Sequence, residues 1–200
     1  MSNSKFKLPK NAKGKLEQLL FEEKELKTYA IIDAAKEGAI PYFLEGMKAT
    51  YGSLLQGDDT KKLASVAPYI VALEQGSDVS RWYLEKLYGK SIGFVLKTNW
   101  SIEGLIQFWA RKVKTRIPGT EEKGFFRYYD PSVLIEYLPI LEEDNELMEF
   151  MGPTNSILVE AQNPEHLLVY RQIETDDGLQ VVSNTIEIVE AKVSAPKEKQ

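Results

Sequence analysis

The sequence contains no cysteine, and His166 is its single histidine among 200 residues. Disulfides, thiol nucleophiles and thiolate metal sites are therefore excluded. A catalytic zinc site built on two or more histidines is excluded as well. A Ser-His-Asp triad would have to use His166, which stands between Pro164-Glu165 and an apolar run, a setting with many non-catalytic uses for a histidine. There is no GxGxxG fingerprint, no phosphate loop ending in GK[ST] and no GxSxG elbow. No stretch approaches the ~20 apolar residues of a membrane span. Met1 to Lys15 is polar and lysine-rich, without the apolar run of a signal peptide, so the cytoplasm is the expected location. A net charge of −5 argues against a dedicated nucleic-acid binder. No residue pattern calls for a metal or a cofactor.

The most distinctive stretch is Phe125-Phe126-Arg127-Tyr128-Tyr129-Asp130-Pro131. Its aromatic density predicts a strand, with Phe125, Arg127 and Tyr129 on one side and Phe126, Tyr128 and Asp130 on the other. Pro131 suits the first position of a helix, and Asp130 can cap it, so the stretch reads as a strand-to-helix corner.

In chain order, residues 1–14 read as a disordered basic arm, followed by a short helix on Leu16, Leu19, Leu20 and Phe21. Tyr29 to Asp33 predicts a buried strand, whose terminal acid Asp33 needs a partner if buried, Arg127 being one candidate. Ile40 to Met47 predicts a helix, and Val66 to Leu73 a strand with Pro68 at its start or at an edge. A helix opens at Ser77-Asp78 and stops by Gly89. Ser91 to Thr98 is the next strand. Ile102, Leu105, Ile106, Trp109 and Val113 then recur at helical spacing, with a basic end of Arg111, Lys112, Lys114 and Arg116. Pro139 is expected to interrupt the helix that starts at Pro131. Residues 157–159 and 167–170 predict strands, and Asp177-Gly178 a hairpin turn. The fold class is α/β (α+β): a mixed sheet flanked by helices, in two lobes that meet near residues 118–124. Residues 15–160 form the main domain, 161–193 a hairpin extension and 194–200 a polar tail.

Two charged features bear on chemistry. Glu142, Glu143, Asp144 and Glu146 are the densest acids, and a hydrolase would need two of them about 5–9.5 Å apart in a cleft. A solvated acidic face is the simpler account of such a run. Arg127, set among rings, can stack on Tyr or Phe and pair with Asp33 or Asp130.

Four segments, taken together, resemble one family. They are Tyr29-Ala30-Ile31-Ile32-Asp33-Ala34-Ala35, Val66-Ala67-Pro68-Tyr69-Ile70-Val71, Gly93-Phe94-Val95-Leu96 with its following helix, and Phe126 to Leu134. Met151-Gly152-Pro153 adds a fifth. In order and spacing they are similar to the "domain of unknown function" adaptors, or effector chaperones, of bacterial type VI secretion. The resemblance spans about residues 16–160 and rests on APY combined with RxYDP. Ser132 departs from it, standing where the family often has arginine, and nothing beyond residue 160 matches.

The resemblance implies a non-enzymatic cytoplasmic adaptor. It would bind the N-terminal region of one secreted toxic effector and help load it onto the spike protein VgrG, with no nucleic-acid or membrane partner. It carries over no catalytic residues. Asp33, Pro68, Tyr69, Arg127, Tyr129, Asp130 and Pro131 are expected to hold the fold. An adaptor needs an exposed apolar groove with aromatic anchors. Trp100, Trp109, Phe125 and Phe150 are the candidate effector-binding residues, with core packing as the competing role. The alternatives are the carboxylate-dependent hydrolase and a structural interaction subunit.

Overall fold

The apolar run at residues 29–32 builds β1 (Lys27–Asp33), which pairs with β3 (Pro68–Leu73) on one side and β4 (Gly93–Thr98) on the other. The computed structural model describes residues 8–116 and 120–189. β2 (Tyr51–Ser53) adds an edge beside β3, and β7 (Ser156–Glu160), β8 (His166–Thr175) and β9 (Gly178–Glu187) extend the sheet beyond β4. The order is β2-β3-β1-β4-β7-β8-β9. Every pairing between described strands is antiparallel, so the expected mixed sheet is corrected to an antiparallel one within an α+β fold. Strands from both sides of residues 118–124 belong to this one sheet.

Side-chain alternation sorts the helices onto two faces. Ile31 and Phe94 are direct partners on one face, where Phe94 meets Trp109 and Tyr128. That face carries α5 (Ile102–Val113), α6 (Pro131–Glu143) and α7 (Leu147–Met151). Thr28 and Lys97 are partners on the other face. Their side chains donate to the Leu20 and Leu19 carbonyls at the end of α1 (Lys10–Phe21). Those carbonyls lack intrahelical partners, so the sheet itself satisfies the helix terminus. The buried Lys97 also puts a cation at the negative end of α1 and lies 3.3 Å from Glu23. α2 (Ile40–Gly46), α4 (Asp78–Trp82) and a π-helical turn over Tyr83–Leu87 complete the structure around the sheet, together with the short α3 (Asp59–Lys62).

Several expectations are corrected. Residues 10–14 belong to α1 rather than to an arm, because Ala12, Leu16 and Leu20 pack into the core. The aromatic stretch is a strand only as far as Phe125: β6 (Lys123–Phe125) pairs with β5 (Lys114–Arg116) in a separate two-stranded sheet. Phe126 makes one further bond to the Val113 carbonyl, and the chain then turns so that Tyr128 enters the core. α5 accordingly ends at Val113, and Lys114 and Arg116 fall in β5. Pro139 lies inside α6 on its exposed face, where water can reach the carbonyl left by its missing N–H. Residues 1–7, the Pro118-Gly119 break and the 194–200 tail lie outside the described residues.

Two glycines are fixed by close approach. A side chain on Gly93 would meet the Ile31 backbone, and one on Gly152, at φ +53°, would meet the Phe108 ring. The core is centred on rings: Trp109 contacts Phe94, Phe108, Tyr128 and Phe150 at centroid separations of 5.4 to 5.9 Å. Trp109 and Phe150 are thus core residues and present no anchor to a partner, which corrects that assignment. Trp109→Ala and Phe150→Ala should each cost about 3–5 kcal/mol of stability, the scale for removing a large ring from a packed core. Urea unfolding followed by circular dichroism measures this, and losses below about 1 kcal/mol would contradict the packing described.

Candidate docking groove

Asp33 closes β1 with its side chain fully buried. Its Oδ1 accepts from the Ala35 N–H at 2.9 Å, and its Oδ2 accepts from Arg127 at 2.5 Å. A buried carboxylate needs such partners, and this pairing reaches across 94 residues of sequence. Arg127 also approaches Asp130 at 3.6 Å and lies over the Tyr129 ring. Asp130 accepts from Lys36 at 2.6 Å, and Lys36 donates in turn to the Ser91 carbonyl. The charges alternate along the chain Asp33, Arg127, Asp130, Lys36. The 33–36 turn is thereby tied to the 127–130 turn.

Asp130 serves twice, since its Oδ1 also accepts from the Ser132 N–H as the cap of α6, with Pro131 at the first helical position. Burial pushes the Asp130 carboxyl up. The hydrogen bonds from Lys36 and Ser132, with the nearby charges of Lys36 and Arg127, outweigh that and hold its pKa below the ordinary value. The hydrogen bond to Asp33 raises the pKa of the Arg127 guanidinium.

The Ala67-Pro68-Tyr69 segment joins the same corner. Pro68 pairs with Asp33, and the Ala67 carbonyl accepts from the Ala34 N–H. The Tyr69 hydroxyl donates to the Ala64 carbonyl at 2.7 Å, which holds the short 3-10 turn at Ala64–Val66. Between this turn and the 125–129 segment lies a groove of about 240 Å³, lined by Leu63, Val66, Pro68, Phe125, Arg127 and Tyr129 among others. Phe125 is 49% exposed here, and Lys114 sits over its ring, itself bonded to Asp59. The expected alternation holds in part without the strand: Phe125, Arg127 and Tyr129 share the groove while Tyr128 fills the core, but Asp130, expected on the Tyr128 side, turns back to Arg127 and Lys36.

The structure does not bring the four aromatic candidates together. Trp100 is 46% exposed but follows β4 at Thr98, which pairs with Lys27, whereas the groove lies by Asp33 at the other end of β1. Phe125 is the candidate that lines the groove. The groove also takes Leu63 and Val66; Val66, expected to open a strand, instead ends the 3-10 turn, and β3 starts at Pro68. The acids at 142–146 are all exposed at the end of α6 and in the turn after it, so the hydrolase reading loses the residues it rested on.

A second pocket of about 280 Å³ includes Ser91, Ser132, Glu136 and Glu160 in its lining. Burial pushes the Glu160 carboxyl up to about 7, against the lowering effect of hydrogen bonds from the Ser91 and Gly89 N–H groups. Between its ordinary 4.5 and about 7, the folded chain holds a proton that the unfolded chain releases. This contribution to stability is therefore full at low pH and is lost as pH rises through 7. Glu160→Gln keeps an acceptor for Ser91 without the charge. Chemical denaturation across pH 5 to 8 should show the wild type losing roughly 2–3 kcal/mol relative to this variant. Parallel pH profiles would contradict it.

For the corner itself, Arg127→Leu leaves the Asp33 carboxylate buried without a counter-charge and should cost roughly 2–3 kcal/mol, reduced from the fully buried case because Arg127 is half exposed. Asp33→Asn keeps the Ala35 bond and frees Arg127 to water, so it should cost roughly 1–2 kcal/mol, and the double variant less than the sum. Strict additivity in urea unfolding would show that the pair is not coupled.

A family profile described as "Domain of unknown function (DUF4123)" matches residues 28–146. No curated protein and no solved structure matches the chain. The matched residues run from β1 to just past α6. They take in both sides of the ion-paired corner and the groove, and leave out β7 and the β8–β9 hairpin. With more than half of its length matched, the chain belongs to the family described as domain of unknown function DUF4123.

Proposed function

We propose that the chain is a non-enzymatic cytoplasmic adaptor of type VI secretion, which binds the N-terminal region of a secreted effector and helps load it onto the spike protein VgrG. One observation carries this reading. The two most distinctive segments, APY and RYYDP, lie about 60 residues apart in sequence yet line a single exposed apolar groove. A half-exposed phenylalanine beside a cation suits an anchor of protein recognition, because aromatic and arginine residues supply much of interface energy. The ion pair behind the groove sets its two walls before any partner arrives, which lowers the ordering cost of binding. Membership of a domain family without an assigned function is compatible with this reading and is not its basis.

Affinity capture from lysate of the source bacterium tests the proposal. The wild type should retain one large toxin-like protein through its N-terminal region, together with VgrG. Phe125→Ser should reduce that recovery roughly 10- to 100-fold, the scale of an interface hot spot. Ile140→Ser, at an exposed site on α6, should leave it unchanged. Recovery unaffected by Phe125→Ser, or the absence of any effector, would overturn the reading.

A further inference from the structure

α2 buries Ile40 and Leu44 and so turns the residues between them outward. Tyr42 is 73% exposed and Phe43 50% exposed. Solvated rings in adjacent positions are unusual on a surface that is otherwise charged. The Phe43 ring meets Trp82 of α4 at 5.9 Å, and the cleft beside them has a volume of about 270 Å³. One wall comes from the α2 side with Glu37 and Phe43. The other comes from α4 and the π turn with Trp82, Lys86, Leu87 and Lys90. The wider π turn buries Tyr83, Leu84 and Leu87 while leaving Lys86 in solvent. Nearby charges are already matched: Glu85 bonds Lys13, and Arg81 pairs with Asp78. Among the described residues, Lys86 and Lys90 have no ion-pair partner.

We propose that this cleft is a second docking site, and that its occupant is an acidic protein segment that seats an apolar side chain against Phe43 and Trp82 and sets its carboxylates against Lys86 and Lys90. The charge argument decides the occupant. The chain as a whole carries −5 and repels acidic partners at long range, so attraction has to come from lysines within about a Debye length of the bound segment. Two unpaired lysines on one wall provide it, and Glu37 on the other wall disfavours carboxylates there. The segment is therefore held in one orientation. The concave shape and the acid at its rim suit a side chain better than a flat anionic leaflet. The site stands on different residues from the groove at Phe125, so either can fail alone.

The test selects random linear peptides displayed against the full chain and measures the enriched ones by fluorescence anisotropy. The enriched peptides should share a bulky apolar residue flanked by Asp or Glu. Their binding should weaken at least about 10-fold with Phe43→Ser and with Lys86→Glu/Lys90→Glu, and with added salt, as expected for an apolar anchor with screened charges. Glu37→Lys should tighten it, and Phe125→Ser should leave it unchanged. Phe43, Lys86, Lys90 and Phe125 are exposed and Glu37 is half-buried, and circular dichroism checks that each variant folds. Failure to enrich acidic peptides, or binding indifferent to the cleft substitutions, would overturn the proposal. So would binding to phosphatidylserine-containing vesicles with the same dependence on Phe43 and the two lysines, which would make the cleft a membrane contact.

Discussion

The fold and its groove depend on the ion pair between Asp33 and Arg127. Asp33 is held inside the protein at the end of a strand buried from Thr28 onward, and among the described residues Arg127 supplies its counter-charge, at 2.5 Å. A charge in that position is costly unless paired. The sequence therefore has to return to the strand end after a long excursion, and it does so in the turn that also caps α6. One contact fixes the register of distant segments, and Lys36 closes the network through Asp130. Such a pair is better understood as specifying an arrangement than as a large source of net stability.

The sheet makes this arrangement rigid enough to matter. β1 and β4 are buried on both faces, with helices packed against each, so the strand end that carries Asp33 has little room to move. Behind the 125–129 segment, the ring cluster on Trp109 and Tyr128 fills the space between α5, α6 and the sheet. Tyr128 also donates to the Trp109 carbonyl at 2.8 Å, where α5 nears its end. The aromatic stretch thus divides its work by residue: Tyr128 holds the core, Arg127 holds the corner, and Phe125 meets solvent.

Much of this was legible in the sequence, and the failures have physical causes. The periodicity from Ile102 to Val113 defined α5, and the apolar run at 29–32 defined a buried strand, because burial geometry writes those patterns directly. Asp130-Pro131 marked a helix start for the same local reason. The aromatic stretch misled because rings are favoured both in strands and in turns that insert side chains into a core. Pro139 misled because a helix tolerates proline where water can satisfy the exposed carbonyl. Trp109 lay on a helical stripe that already pointed inward, yet ring size suggested an anchor. The groove itself was not legible, since Val66 and Phe125 are 59 positions apart and are brought together by tertiary contacts such as the ion pair behind them and the Lys114–Asp59 link.

On the proposed reading, the groove between the 63–68 and 125–129 segments receives the partner. Site-specific photo-crosslinking measures this most directly, with p-benzoylphenylalanine replacing Phe125 and, in a separate protein, Ile140. Irradiation in cells should join position 125 to the N-terminal region of one effector and leave position 140 without a product. Equal crosslinking at both positions, or effector crosslinks from position 140 alone, would contradict it.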